Sequence, residues 1–102
     1  MIIVNINEGT KIDYTVNDKT VTFGGALSVN LAELEEDWPV HIDICSNAAG
    51  TLVIGTTTGR RYVAEIDIPE RQYQTTGEGE EETLTPVPLD MDTVKLTLWA
   101  LE

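Results

Sequence analysis

One cysteine, Cys45, and one histidine, His41, are all that the 102 residues carry of the side chains most often recruited as nucleophile, base or zinc ligand. A single cysteine excludes an internal disulfide and a multi-cysteine zinc site within one chain. Cys45 has no basic neighbour and no helix N-terminus to lower its pKa, so a small core or strand-face residue is expected there. His41 has no second histidine and no nearby Ser or Cys in a catalytic arrangement, and its expected role is structural or at the surface. No catalytic residue, no cofactor and no metal site are expected. The chain therefore reads as a non-enzyme.

Positive charge is the second shortage. Six Lys and Arg stand against 18 Asp and Glu, a formal net charge of -12. Such a surface repels phosphate instead of releasing counterions from it, which disfavours direct nucleic-acid binding and anionic membrane surfaces. Long apolar runs are also missing, since no segment approaches the roughly 20 residues needed to span a bilayer. Met1 to Asn5 lacks the basic start and long apolar stretch of a secretory signal, so no signal peptide is expected. A soluble protein follows as the expectation.

What the chain does have is alternation. With 41% hydrophobic and 24% charged residues it can fold, and its length suits one domain over residues 1–102. Apolar residues recur with period two: Ile2, Val4 and Ile6; Ile12, Tyr14 and Val16; Leu27, Val29 and Leu31; Val40, Ile42 and Ile44; Tyr62, Ala64, Ile66 and Ile68; Val94, Leu96, Leu98 and Ala100. That spacing puts successive side chains on opposite faces of a sheet. Asn17-Asp18-Lys19 predicts a tight turn before Val21 and Phe23, and Gly24-Gly25 a break where positive φ is cheap. Ala32 to Asp37 allows one helical turn, which Trp38-Pro39 should end. Turns at Asn47 to Gly50 and Thr56 to Gly59 then predict a meander of three strands. The fold class is all-β: an antiparallel β-sandwich or meander of about 7–9 strands with a projecting hairpin.

That hairpin is read from a change in composition. Residues 74–83 hold two glycines, four glutamates, three threonines and no apolar side chain, which predicts a flexible acidic tip. Tyr73 before it and Leu84 and Val87 after it predict two strands that leave the body and return. Pro69, Pro86 and Pro88 remove ladder donors and confine those strands to an edge or an arm. Calcium loops are not indicated at Glu80-Glu81-Glu82 or Asp90-Met91-Asp92, because the glycine and ligand spacing is wrong. Gly55 to Gly59 with Arg60-Arg61 lacks the Lys-Ser/Thr and helix of a phosphate loop and reads as a turn.

Arg60, Arg61 and Arg71 are half of the basic residues, and they could pair with acidic groups of a neighbouring subunit or within the chain. Together with Tyr73, Leu84 and Val87 they are the candidate interaction residues. Trp38 and Trp99 are expected in the core.

The stretch Arg61-Tyr62-Val63-Ala64-Glu65-Ile66-Asp67-Ile68-Pro69-Glu70-Arg71-Gln72-Tyr73 resembles a segment of small uncharacterised phage and prophage proteins of gut Firmicutes, and so does the ending from Pro86 to Leu101. The resemblance implies a structural protein of the virion, in the tail region or as a capsid decoration component. It also implies self-assembly as a homo-oligomer or contact with other virion proteins, and a location in the virion or in the host cytoplasm during assembly. A small-molecule ligand is not expected. The alternative is a small β-sandwich binding module for surface glycans or a protein partner, with Trp38, Tyr62 or Tyr73 as platforms. An enzymatic reading would rest on carboxylates such as Asp43, Glu65 and Asp67, which would have to be paired beside a cleft.

Overall fold

The computed structural model describes residues 1–57, 59–77 and 79–101. Thr58 of the expected Thr56 to Gly59 turn and Glu78 of the expected acidic tip lie outside the described residues. Ten strands run in chain order as β1 (Ile2–Asn5), β2 (Tyr14–Asn17), β3 (Thr20–Phe23), β4 (Leu27–Asn30), β5 (Val40–Asn47), β6 (Leu52–Ile54), β7 (Gly59–Ile68), β8 (Tyr73–Thr76), β9 (Thr83–Pro86) and β10 (Lys95–Leu98). One helical turn, α1 (Leu31–Leu34), follows β4. Among the described residues no helix is long and apolar enough to cross a membrane.

The all-β class is borne out, in three sheets: β1-β10-β7-β5-β6, β2-β3-β4 and β8-β9. The first two face each other across one core. Val21, Phe23 and Val29 come from the small layer, Leu31 from α1, and Ile42, Ile44, Ala64, Ile66, Ile68, Leu96 and Leu98 from the large layer. Each of these side chains larger than Ala64 contributes about 1.5–3 kcal/mol when taken from water, which is the main force holding the layers together. All sheet pairings are antiparallel except β1 with β10, which run parallel.

The small layer forms as its pattern requires. Asn17 pairs with Thr20, leaving Asp18 and Lys19 as the turn, with Asp18 at φ 54. Gly24 and Gly25 take φ 57 and 66, the left-handed region that costs glycine little. Asn30 caps α1 by accepting from the Glu33 amide at 3.3 Å, so Leu31 opens the helical turn instead of extending β4.

The large layer departs from a simple meander. β6 lies at the edge, and the chain crosses over to place β7 on the other side of β5. The returning segment packs over Cys45: a Cβ on Gly59 would stand 2.6 Å from Cys45 Cβ and 3.2 Å from the Gly55 carbonyl oxygen. This crossing requires a bare backbone at 59. It also buries Cys45, although that residue is not on the core side. A bulge between Ile44/Cys45 and Ala64/Tyr62 accommodates the extra residue Val63.

β1 supplies no residue to the buried core, because it is an edge strand of the wider sheet; Ile2 in it is 52% exposed and Ile6 just beyond it 48%. One expectation is corrected. Trp38 is 60% exposed beside the segment that ends α1, and Trp99 is half-buried on the outer face of the large sheet, not in the core.

The hairpin leaves the body as expected. β8 and β9 pair only with each other, Tyr73 opposite Pro86 and Thr76 opposite Thr83. Gln74, Thr75 and Thr76 are ladder residues, so the acidic tip is shorter than expected and contains one 3-10 turn, Gly79–Glu81. The arm stretches the molecule to 57 × 25 × 21 Å, with a radius of gyration of 16.4 Å, against about 13 Å for a compact chain of about this length.

Candidate functional site

The outer face of the large sheet carries a polar ladder. His41 on β5 lies opposite Asp67 on β7, Asp43 lies opposite Glu65, and Lys95 and Thr97 on β10 extend the two rows. Alternation turns these side chains outward because Ile42, Ile44, Ala64 and Ile66 between them are drawn into the core. His41 Nδ1 is 2.6 Å from Asp67 Oδ1. Its Nε2 is 2.8 Å from Asp43 Oδ1 and 3.3 Å from Glu65 Oε1. The other oxygen of Glu65 accepts from the Trp99 indole at 2.7 Å, and Tyr62 stacks on Trp99 with centroids 5.4 Å apart at 24°.

Electrostatics follow from that crowding. The hydrogen bond to Asp67 raises the His41 pKa above its ordinary 6.5; burial opposes this, and Asp43 adds to the rise. Both ring nitrogens face carboxylates, so the imidazolium, with two donors, is the form these contacts favour. Burial raises the Cys45 pKa, and Asp43 and Glu65 add to it. Such a thiol is a poor nucleophile. His41, Asp43 and Glu65 each offer one ligand atom within 4.8 Å of the others, which makes them the one metal-competent group among the described residues.

A second surface lies at the arm. Arg71 is held inside the chain: its guanidinium donates to the Glu35 carbonyl at 2.8 Å and to Asp37 Oδ1 at 3.1 Å, and its amide donates to the Glu36 carbonyl at 2.8 Å. Tyr73 donates its hydroxyl to the same Asp37 oxygen at 2.5 Å. These contacts clamp the arm's root against the segment after α1. Leu84 is 66% exposed farther out, and Val87 lines a pocket of about 250 Å3 with Glu35, Pro69 and Leu89 at the arm's base.

Arg60 and Arg61 are exposed at the opposite end of β7 and make no ion pair among the described residues. The six candidate interaction residues therefore divide. Arg71 and Tyr73 anchor the arm, Leu84 and Val87 lie along it, and Arg60 and Arg61 sit at the far end of the body.

The comparisons with known proteins decide nothing further. The chain matches no family model, and no curated protein or solved structure matches it significantly.

Sequence reasoning named Asp43, Glu65 and Asp67 as carboxylates that would have to be paired, and the structure brings all three around His41, which that reasoning did not join to them. The cluster's signal is present as two alternating pairs, His41-x-Asp43 and Glu65-x-Asp67, each on the polar face of a strand. Only the pairing of β5 with β7 brings them together.

Proposed function

We propose that this chain is a non-enzymatic structural protein that acts by protein–protein contact, docking its β8–β9 arm on a second copy. The observation behind this reading is the arm itself. A two-stranded ribbon with every β8 residue exposed has no core of its own and is marginal in water, so an added surface is what would stabilise it. Its ladder edges and Leu84 offer the backbone groups and apolar side chain that strand addition uses.

Charge supports the choice of partner. Glu80, Glu81 and Glu82 cluster toward the arm's tip, whereas Arg60 and Arg61 begin β7, roughly 30 Å of extended strand away from the arm's root. Beside Arg60, a wide hollow is lined by Asn47, Ala48, Ala49, Thr57 and Gly59. An acidic end and a basic end on one elongated molecule favour a head-to-tail contact, which closes into a ring or continues as a filament. The resemblance to phage and prophage proteins favours reading such an assembly as part of a virion, in the tail region or on the capsid. The exposed apolar edge of β1, with Ile2, Ile3 and Ile6, is a further surface for self-association.

Native mass in solution is the test. The full chain is expected to form oligomers that dissociate as salt rises. Arg60→Glu with Arg61→Glu should abolish them, and Glu80, Glu81 and Glu82→Lys in the same chain should restore them. A monomer at all concentrations, or oligomers indifferent to these changes and to removal of residues 74–83, overturns the proposal. Trp38 is the most exposed of the three aromatics, with Tyr62 and Tyr73, offered as platforms for the glycan-binding alternative, and glycan binding lost in Trp38→Ala would favour that reading instead.

A further inference from the structure

The outer face of the large sheet holds more ligand chemistry than a structural protein requires. Three carboxylates surround one imidazole, and the single charge of that ring balances only one of them. Cross-strand register puts the groups there: Asp43 and Glu65 are ladder partners, as are His41 and Asp67. The two ring nitrogens are used differently. Nδ1 faces Asp67 alone, whereas Nε2 faces both Asp43 Oδ1 and Glu65 Oε1.

We propose that His41 Nε2, Asp43 Oδ1 and Glu65 Oε1 form a three-residue site for a divalent transition-metal ion of the zinc type, with Asp67 as the positioning residue that orients the ring. The two separations from Nε2 suit this ion, and all three ligand atoms lie within 4.8 Å of one another. Bonds of about 2.0–2.1 Å in a tetrahedral arrangement put neighbouring ligand atoms about 3.3–3.4 Å apart. Nε2 to Glu65 Oε1 is already 3.3 Å, and Nε2 to Asp43 Oδ1, at 2.8 Å, has to open by about half an ångström to admit the ion.

The surrounding contacts fit the same assignment. A ligating histidine donates its other N–H to a carboxylate in most metal sites, which fixes the tautomer and leaves Nε2 to bind; Asp67 is placed for that. Trp99, from a third strand's end, occupies Glu65 Oε2 and leaves Oε1 toward the imidazole. An imidazole with two carboxylates selects transition ions over calcium or magnesium, which favour all-oxygen sets. Because the site lies on an open sheet face and supplies three ligands, its remaining positions go to water or to a group from outside the chain. This site does not depend on the arm or on self-assembly.

The test uses the full chain, stripped with a chelator and titrated with Zn2+ by calorimetry and with Co2+ by visible absorption. One ion per chain is expected, with cobalt d–d bands and a zinc-dependent shift of the only histidine's NMR signals. His41→Ala and Glu65→Gln should each weaken binding by at least about 100-fold, and Asp67→Asn by about 10–100-fold with the stoichiometry kept. Glu80→Gln, Glu81→Gln and Glu82→Gln together should leave affinity unchanged. Absence of binding at millimolar metal overturns the proposal. So does binding that survives His41→Ala, or histidine signals that zinc does not move.

Discussion

His41 on β5 and Asp67 on β7 are ladder partners 26 positions apart, joined by a 2.6 Å contact from Nδ1 to Oδ1 on the outer face of the sheet. The pair couples protonation to the pairing of the two strands with the most extensive contact in the molecule. His41 is also faced by Asp43 on its own strand and by Glu65 on β7, while Lys95 on β10 lies opposite Asp67.

The sign of the pH effect follows from the raised pKa. A histidine whose folded pKa exceeds its unfolded value stabilises fully below about 6.5, and that contribution is lost as pH rises through the folded pKa. In the presence of chelator, Tm should therefore fall over that window, and His41→Gln should flatten the dependence. NMR titration of the sole histidine should give a midpoint above 6.5. A midpoint at or below that value would falsify the account.

At Gly59 the constraint is space. Gly59→Ala is expected to cost about 1–3 kcal/mol, because its Cβ meets Cys45 Cβ at 2.6 Å with backbone on another side. Cys45→Gly in the same chain should recover part of that loss, giving non-additive energies in a double-mutant cycle by urea denaturation. Simple additivity would show that the crossing segment moves aside.

Cys45 should be inert while the chain is folded. It is 2% exposed, and burial with Asp43 and Glu65 nearby raises its thiol pKa. Thiol-specific reagents are expected to label it only under denaturing conditions. Rapid labelling of the native protein would show that the segment over it opens readily.

The arm's root should loosen without unfolding the body. Tyr73→Phe and Asp37→Ala remove hydrogen bonds at partly exposed positions, so each should change global stability by less than about 1 kcal/mol. Hydrogen exchange at the Arg71 amide, bonded to Glu36, should nevertheless accelerate. Unchanged exchange there would assign the anchoring to the backbone contact alone.

Local pattern made several elements legible. Period-two alternation marked the strands of the body, Asn17-Asp18-Lys19 marked the β2–β3 turn, and the prolines around a polar stretch marked the arm. The ladder around His41 was not legible, although both of its halves were. Strands that follow one another in sequence usually pair, which makes β6 the expected neighbour of β7. The chain instead crosses β5, and a register between strands so far apart leaves no local trace. Period two also cannot separate a central strand from an edge, so the alternation of Ile2, Val4 and Ile6 carried no sign that β1 lies at the margin of the sheet. Trp38 read as core on size alone. Its place beside the segment clamping the arm depends on contacts from Arg71 and Tyr73, more than thirty positions away.

The two legs of the arm descend from β8 and β9 into β7 and β10, which lie side by side within the large sheet. A pull on the tip is thus delivered along two inner strands and not onto an edge. Their hydrogen bonds to neighbouring strands would be loaded together in shear, whereas peeling an edge strand breaks such bonds one at a time. The arm is rooted in the middle of the large sheet and not at its margin.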